Sequence, residues 1–188
     1  MLLFGAPGSG KGTQGKILGA IPQFFHFSCG EVFRGLRTDS ELGRIFIAYS
    51  SRGRLVPDAT TVDLWRESIT KAIAAGRFRP DEDTLVLDGI PRNVEQAAML
   101  KDTLDVAGVY CLRSVNPEHL VARIQRRALK ENRLDDAKLD VIRQRLKTYE
   151  KETKPVLKFY GQRLVHEINA DQTPAKVLAD ILRTAVKR

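Results

Sequence analysis

The chain predicts an α/β fold in three layers, a parallel sheet of five or so strands with helices on both faces, and three observations carry that expectation. An apolar start, Leu2-Leu3-Phe4, runs into the glycine-rich turn Gly5-Ala6-Pro7-Gly8-Ser9-Gly10-Lys11-Gly12-Thr13 and then into a helical stretch. A second apolar run, Thr84-Leu85-Val86-Leu87-Asp88, ends in a carboxylate, as a buried parallel strand does when its C-terminal end faces a ligand. Strand-like and helix-like segments then alternate to the C terminus.

Taken in order, the glycine-rich turn reads as a phosphate cradle. Its glycines let the backbone approach an anion closely, and the N–H groups of the following helix present positive partial charge to it. Lys11 would reach the outer phosphates, and Thr13 would supply a hydroxyl one position later than the usual pattern, because Gly12 follows the lysine. The helix is expected to run to about Ala20, where Pro22 breaks it. Phe24-Phe25-His26-Phe27-Ser28 has the aromatic density of a second strand, and Ser28 with Glu31 has capping-box spacing for a helix through about Arg37. Leu42, Ile45, Phe46 and Tyr49 mark a helix that Gly53 stops, and after the loop Gly53-Arg54-Leu55-Val56-Pro57 a cap at Asp58 opens a helix to about Ala75. Beyond Asp88 the expectation is a helix to about Val106, a strand at Val109–Leu112 and a helix from about Pro117. Arg123, Arg127 and Lys130 share a face of that last helix. Leu139, Ile142, Leu146 and Tyr149 mark the next helix, which Pro155 bends. A last strand at Arg163–Ala170 and a helix opened by Thr173-Pro174 complete the chain.

Composition narrows the function. A chain of 188 residues with 43% hydrophobic content suits one domain, and no run approaches the roughly 18 apolar residues of a membrane-spanning helix. The chain enters the glycine-rich turn at once, which leaves no room for a signal peptide, so a cytoplasmic protein without a membrane partner is the expectation. Cys29 and Cys111 are too few for a disulfide framework or a four-cysteine zinc site, and His26, His119 and His166 have no metal-ligand spacing. The net charge of +8 fits nucleic acid or multiply phosphorylated small molecules equally well, and only position decides between them.

Position is informative. The variant Gly-x-Pro-Gly-x-Gly-Lys-Gly-Thr, together with Asp88-Gly89-Ile90-Pro91-Arg92 and the downstream Gln96, resembles the adenylate kinase branch of the nucleoside monophosphate kinases, with Ile90 in place of the family's Phe. Ser28-Cys29-Gly30-Glu31-Val32-Phe33-Arg34 resembles the family's Ser-Thr-Gly-Asp-x-x-x-Arg, with Cys for Thr and Glu for Asp. Arg133-Leu134-Asp135-Asp136 resembles the lid hairpin of short-lid members. The resemblance covers essentially the whole chain. It implies a P-loop kinase fold in a single domain over 1–188, with a core at about 1–28, 58–127 and 138–188, a mobile NMP-binding segment at about 29–57 and a short lid at about 128–137.

The resemblance also implies Mg²⁺-dependent transfer from ATP to AMP giving two ADP, by a monomer with no structural zinc and no nucleic-acid partner. Gly8, Ser9, Gly10, Lys11, Gly12, Thr13, Arg123, Arg127 and Thr173 would hold ATP. Cys29, Arg34, Arg54, Leu55, Val56, Gly89, Ile90, Pro91, Arg92, Gln96, Arg133 and Arg145 would hold AMP. Thr13 and Asp88 would organise Mg²⁺ directly or through water, and Lys11 with Arg92, Arg123, Arg127, Arg133 and Arg145 would neutralise the moving charge.

Two rivals stand beside that reading. A UMP/CMP kinase of the same family usually carries Asn one residue beyond the Gln site, where this chain has Ala97. A non-catalytic nucleotide- or RNA-binding module would keep the fold without turnover. For Cys29, access and a modestly depressed pKa predict a thiol that AMP protects, against the plainer reading of a small buried hydrophobe in the space of a Thr.

Overall fold

Each strand shows alternate residues to opposite faces, and here both faces are apolar, so the sheet must be covered on both sides. The computed structural model describes residues 1–114, 116–131 and 138–185. Five parallel strands, β1 (Leu2–Gly5), β2 (Phe24–Ser28), β3 (Thr84–Asp88), β4 (Val109–Arg113) and β5 (Val165–Asn169), lie in the order β2-β3-β1-β4-β5. On one face Leu2, Phe4, Phe27, Leu87, Val109 and Cys111 pack against helical residues such as Phe33, Val62, Trp65, Ala97 and Leu100. On the other, Leu3, Val86, Tyr110, Leu112 and Ile168 pack against Leu18, Val177 and Ile181. This is the expected three-layer α/β architecture.

The helices among the described residues are α1 (Lys11–Leu18), α2 (Cys29–Arg34), α3 (Glu41–Ser50), α4 (Asp58–Ala74), α5 (Val94–Leu100), α6 (Pro117–Glu131), α7 (Leu139–Thr148), α8 (Val156–Tyr160) and α9 (Pro174–Ala185). None of them is long and apolar enough to cross a membrane. Several ends differ from expectation. α1 stops at Leu18, where Gly19 N bonds Gly15 O, α2 stops at Arg34 before Gly35, and α5 stops at Leu100 rather than near Val106. The Ser28–Glu31 capping box does not form: Ser28 makes no side-chain cap bond, and Glu31 instead pairs with Lys16 at 2.8 Å. Other caps do form, with Ser40 Oγ accepting from Gly43 N, Asn93 Oδ1 from Gln96 N, Asn116 Oδ1 from Glu118 N and Thr173 Oγ1 from Lys176 N.

Pro155 bends its helix as expected, and the structure shows how. Proline has no N–H to continue the ladder, and the preceding turn, Tyr149–Thr153, widens into a π-helix in which Lys154 N reaches Tyr149 O.

The sheet edge at β2 depends on a close approach. The ring of His26 lies over α1, and its atoms occupy the place where a Cβ on Gly15 would stand. Gly15→Ala should therefore overpack this contact and cost about 1–3 kcal/mol in urea unfolding. An unchanged unfolding midpoint would contradict the packing described.

Candidate active site

The connection from β1 runs to β2 on one side, whereas that from its neighbour β4 runs to β5 on the other, and a crevice opens beyond the carboxyl ends of these strands. A cavity of about 610 Å³ occupies it, reached by Gly5 at the end of β1, Ser28 of β2, Asp88 of β3 and Ala170 just after β5.

The loop after β1 forms one wall. Gly8 has φ +83°, and a Cβ there would sit 2.8 Å from Leu120 O of α6, so only glycine lets the turn lie against that helix. Ser9 Oγ is buried with no hydrogen-bond partner among the described residues. Lys11, the first residue of α1, folds back so that Nζ donates to Gly5 O at 2.7 Å and Ala6 O at 3.1 Å. Burial pulls its pKa from 10.5 down to about 8. Asp88 opposes the shift, whereas Arg92, Arg127 and Arg145 reinforce it. Four cationic side chains thus converge on one space. Thr13 also lines the cavity, and a Cβ on Gly12 would lie 3.6 Å from Asp88 Oδ2, so the buried Asp88 carboxylate stands beside the start of α1.

The opposite wall comes from the segment between β2 and α4. Cys29, Arg34, Arg54, Leu55 and Val56 all line the cavity, as do Gly89, Pro91, Arg92 and Gln96 from the β3–α5 turn. Arg92 Nε donates to Gly89 O at 3.0 Å, which holds the guanidinium against its own turn. The stacked rings of Phe33 and Phe46, with centroids 5.2 Å apart, complete an apolar side of the cavity. Gly53, at φ +66°, packs into α7, and its carbonyl accepts from Thr148 Oγ1 at 2.9 Å. Arg145 lies on the same α7.

The remaining sites divide. Gly8, Ser9, Gly10, Gly12, Arg123, Arg127 and Arg145 line the cavity, and Arg123 Nη1 is held by Ala170 O at 3.1 Å. Ile90 turns away into the core and is 1% exposed. Thr173 stands just before α9, with its carbonyl accepting from Val177 N, while its neighbours Gln172 and Pro174 reach the cavity wall. Arg133 and most of the lid expectation at 128–137 lie outside the described residues. Among the described residues no group of three or more His, Cys, Asp or Glu is placed to hold a metal. Sequence reasoning missed Thr61, Thr148, Tyr149 and Thr153 on the wall. Tyr149, which in sequence only marks a helix face, and Thr153 both reach the cavity from the π-helical turn.

Cys29 requires a correction. Burial pushes its thiol up to about 11, and Arg92 and Arg34 only partly offset this while Asp88 adds to it. The expected depression came from treating α2 as an open helix start, whereas the side chain, at the cavity's edge, is only 3% exposed and packs into the core beside the Gly89 turn.

A family model described as adenylate kinase matches residues 3–165. Among curated relatives, an adenylate kinase from Cyanothece sp. (strain PCC 7425 / ATCC 29141) is 37% identical over 96% of this chain and 92% of its own length. One from Maricaulis maris (strain MCS10) is 40% identical over 86% of the chain and 85% of its own length. Adenylate kinase 1 from Nostoc sp. (strain PCC 7120 / SAG 25.82 / UTEX 2576) is 34% identical over 98% of the chain and 97% of its own length.

Two measurements probe this site. Because the folded chain releases the Lys11 proton near pH 8 and the unfolded chain near 10.5, the buried charge destabilises the ligand-free protein most below pH 8, and stability recovers as pH rises through that window. Lys11→Met should thus raise the melting temperature at pH 7 relative to the parent, and the gain should shrink towards pH 10.5; a gain that grows with pH would contradict the assignment. Cys29 and Cys111 are both buried with raised pKa values, so a thiol reagent at pH 7.5 should label neither in the native protein and both after denaturation. Rapid native labelling at Cys29 would contradict its burial.

Proposed function

This chain belongs to the adenylate kinase family, whose reaction is phosphoryl transfer between ATP and AMP to give two ADP, and we propose that it runs this reaction with the cavity residues in the following roles. The observation that carries the proposal is the convergence of Lys11, Arg92, Arg127 and Arg145, each of the arginines pressing on the lysine's proton. Such a cluster is unfavourable alone and becomes favourable when several phosphate charges enter it.

Phosphoryl transfer asks little covalent chemistry of a protein; it asks for in-line positioning and neutralised charge. The turn amides and Lys11 bind the ATP phosphates, with Nζ exchanging the carbonyls of Gly5 and Ala6 for phosphate oxygens. Arg123 lies against the ATP base and Arg127 on its phosphates. Arg34 and Arg92 hold the AMP phosphate, Arg145 closes on the transferring group, and Cys29, Leu55, Val56 and Gln96 surround the acceptor base. The segment 29–57 serves as the NMP-binding part. Thr13 and Asp88 offer only hard oxygen donors beside the lysine, which fits the Mg²⁺ that accompanies ATP. When bound, that ion supplies charge neutralisation between the phosphates. We read the enzyme as a working monomer in a reducing cytoplasm, which suits its two free cysteines.

The test is coupled ADP formation with AMP, CMP, UMP and GMP as acceptors. AMP should be strongly preferred, and Lys11→Met should lower turnover on the order of a thousandfold while remaining folded. Turnover within about tenfold of the parent would overturn the assigned role.

A further inference from the structure

Gln96 lines the cavity although it is only 1% exposed, and its amide is fastened behind the cavity wall by two groups of opposite character. Its Oε1 accepts from Arg92 N at 2.8 Å, and its Nε2 donates to Asp58 Oδ1 at 2.8 Å. The same Asp58 oxygen accepts from Asn93 Nδ2 at 2.8 Å, and Asn93 Oδ1 accepts from Gln96 N at 2.8 Å. Asp58 does not line the cavity. In sequence it reads as a helix cap, but the position before α4 is held by Pro57, and the Asp58 carboxylate is spent on α5 instead.

A backbone N–H can only donate and an ionised carboxylate can only accept. The Gln96 amide therefore fits one way round. Turning it over would set its NH₂ against Arg92 N–H and its carbonyl against the carboxylate, replacing two hydrogen bonds by two repulsions. In the fixed orientation one N–H and one oxygen lone pair remain, on defined sides. A 6-aminopurine presents a donor at the 6-position beside an acceptor at N1, and a 6-oxopurine presents the reverse. A freely turning amide pairs with either edge, whereas a fixed amide pairs with one.

We propose that Asp58 is a specificity-determining positioning residue, which fixes the direction of the Gln96 amide so that the acceptor site takes a 6-aminopurine monophosphate and rejects the 6-oxo counterpart. The proposal rests on the acceptor-site reading above. It adds a residue that does not line the cavity and acts through Gln96 and through Asn93, which caps Gln96.

The experiment measures kcat/KM for AMP and for IMP, with ATP as donor, in the parent and in Asp58→Ala and Asp58→Asn, with thermal melts confirming the fold. The parent should favour AMP. Asp58→Ala should raise the IMP-to-AMP ratio by at least about tenfold with the KM for ATP unchanged. Asp58→Asn, whose amide oxygen still accepts from both partners, should keep the parent ratio. If Asp58→Ala does not fold, Asp58→Ser replaces it, because a hydroxyl both donates and accepts and so lifts one of the two constraints on the amide's direction, leaving only that of Arg92 N–H. In a Gln96→Ala background the Asp58 substitution should change the ratio no further. An unchanged ratio in Asp58→Ala or Asp58→Ser, or a parent that uses IMP as well as AMP, overturns the proposal. So does a relaxed ratio in Asp58→Asn equal to that in Asp58→Ala, since it would tie selectivity to charge rather than to amide direction. Absence of AMP turnover in the parent would instead refute the acceptor-site reading itself.

Discussion

The structure depends on holding an excess of positive charge at one end of a parallel sheet. Lys11, Arg92, Arg127 and Arg145 face one space, with Asp88 the opposing charge felt by the lysine. Two features make this tolerable without ligand. Lys11 is satisfied by the carbonyls of Gly5 and Ala6, so its ammonium is hydrogen-bonded while it waits. Arg92 and Arg123 are similarly tied to the carbonyls of Gly89 and Ala170. Each tether is a backbone oxygen at the end of a strand or in the turn that follows it, so the sheet both supplies the anchor and fixes its position. These bonds are modest enough to be exchanged for charge-assisted bonds to phosphate.

Much of this was legible in the sequence because it is local. A glycine-rich turn between an apolar strand and a helix, or a carboxylate closing an apolar run before Gly-x-Pro-Arg, declares its geometry within a few residues. The three-layer sheet followed from strands apolar on both faces. What escaped was decided by partners far away in the chain. Asp58 has the look of a helix cap, but the groups that use it are 35 and 38 residues downstream. Glu31 has capping-box spacing but is taken by Lys16 across the β2 connection. The burial of Cys29 is a tertiary property, and its raised pKa follows from packing that no local pattern reveals. Phe33 and Phe46 illustrate the same limit, since aromatic residues at helical spacing read as core whether or not one edge borders a cavity.

The helix ends are a milder instance. α1, α2 and α5 all stop short of the sequence expectation, each ladder passing into a turn at Gly19, Gly35 and Lys101. The π-helical turn before Pro155 is a further case: proline announces a break but not how the chain accommodates it. Here one extra residue per turn carries Tyr149 and Thr153 onto the cavity wall.

The seat of Gly53 on α7 has a mechanical meaning. Its carbonyl is clasped by Thr148, and its missing side chain lets the loop rest directly on the backbone of Val141 and Arg145. The loop that ends before Pro57 is therefore braced on the helix that presents Arg145 to the cavity. A displacement of that loop must either release the Thr148 clasp or pull α7 with it. Gly53 is thus the joint between two walls of the crevice, where a Cβ would stand 3.0 Å from Gln144 Cβ and Val141 O and 3.1 Å from Arg145 N, so a side chain there presses the loop and α7 against each other.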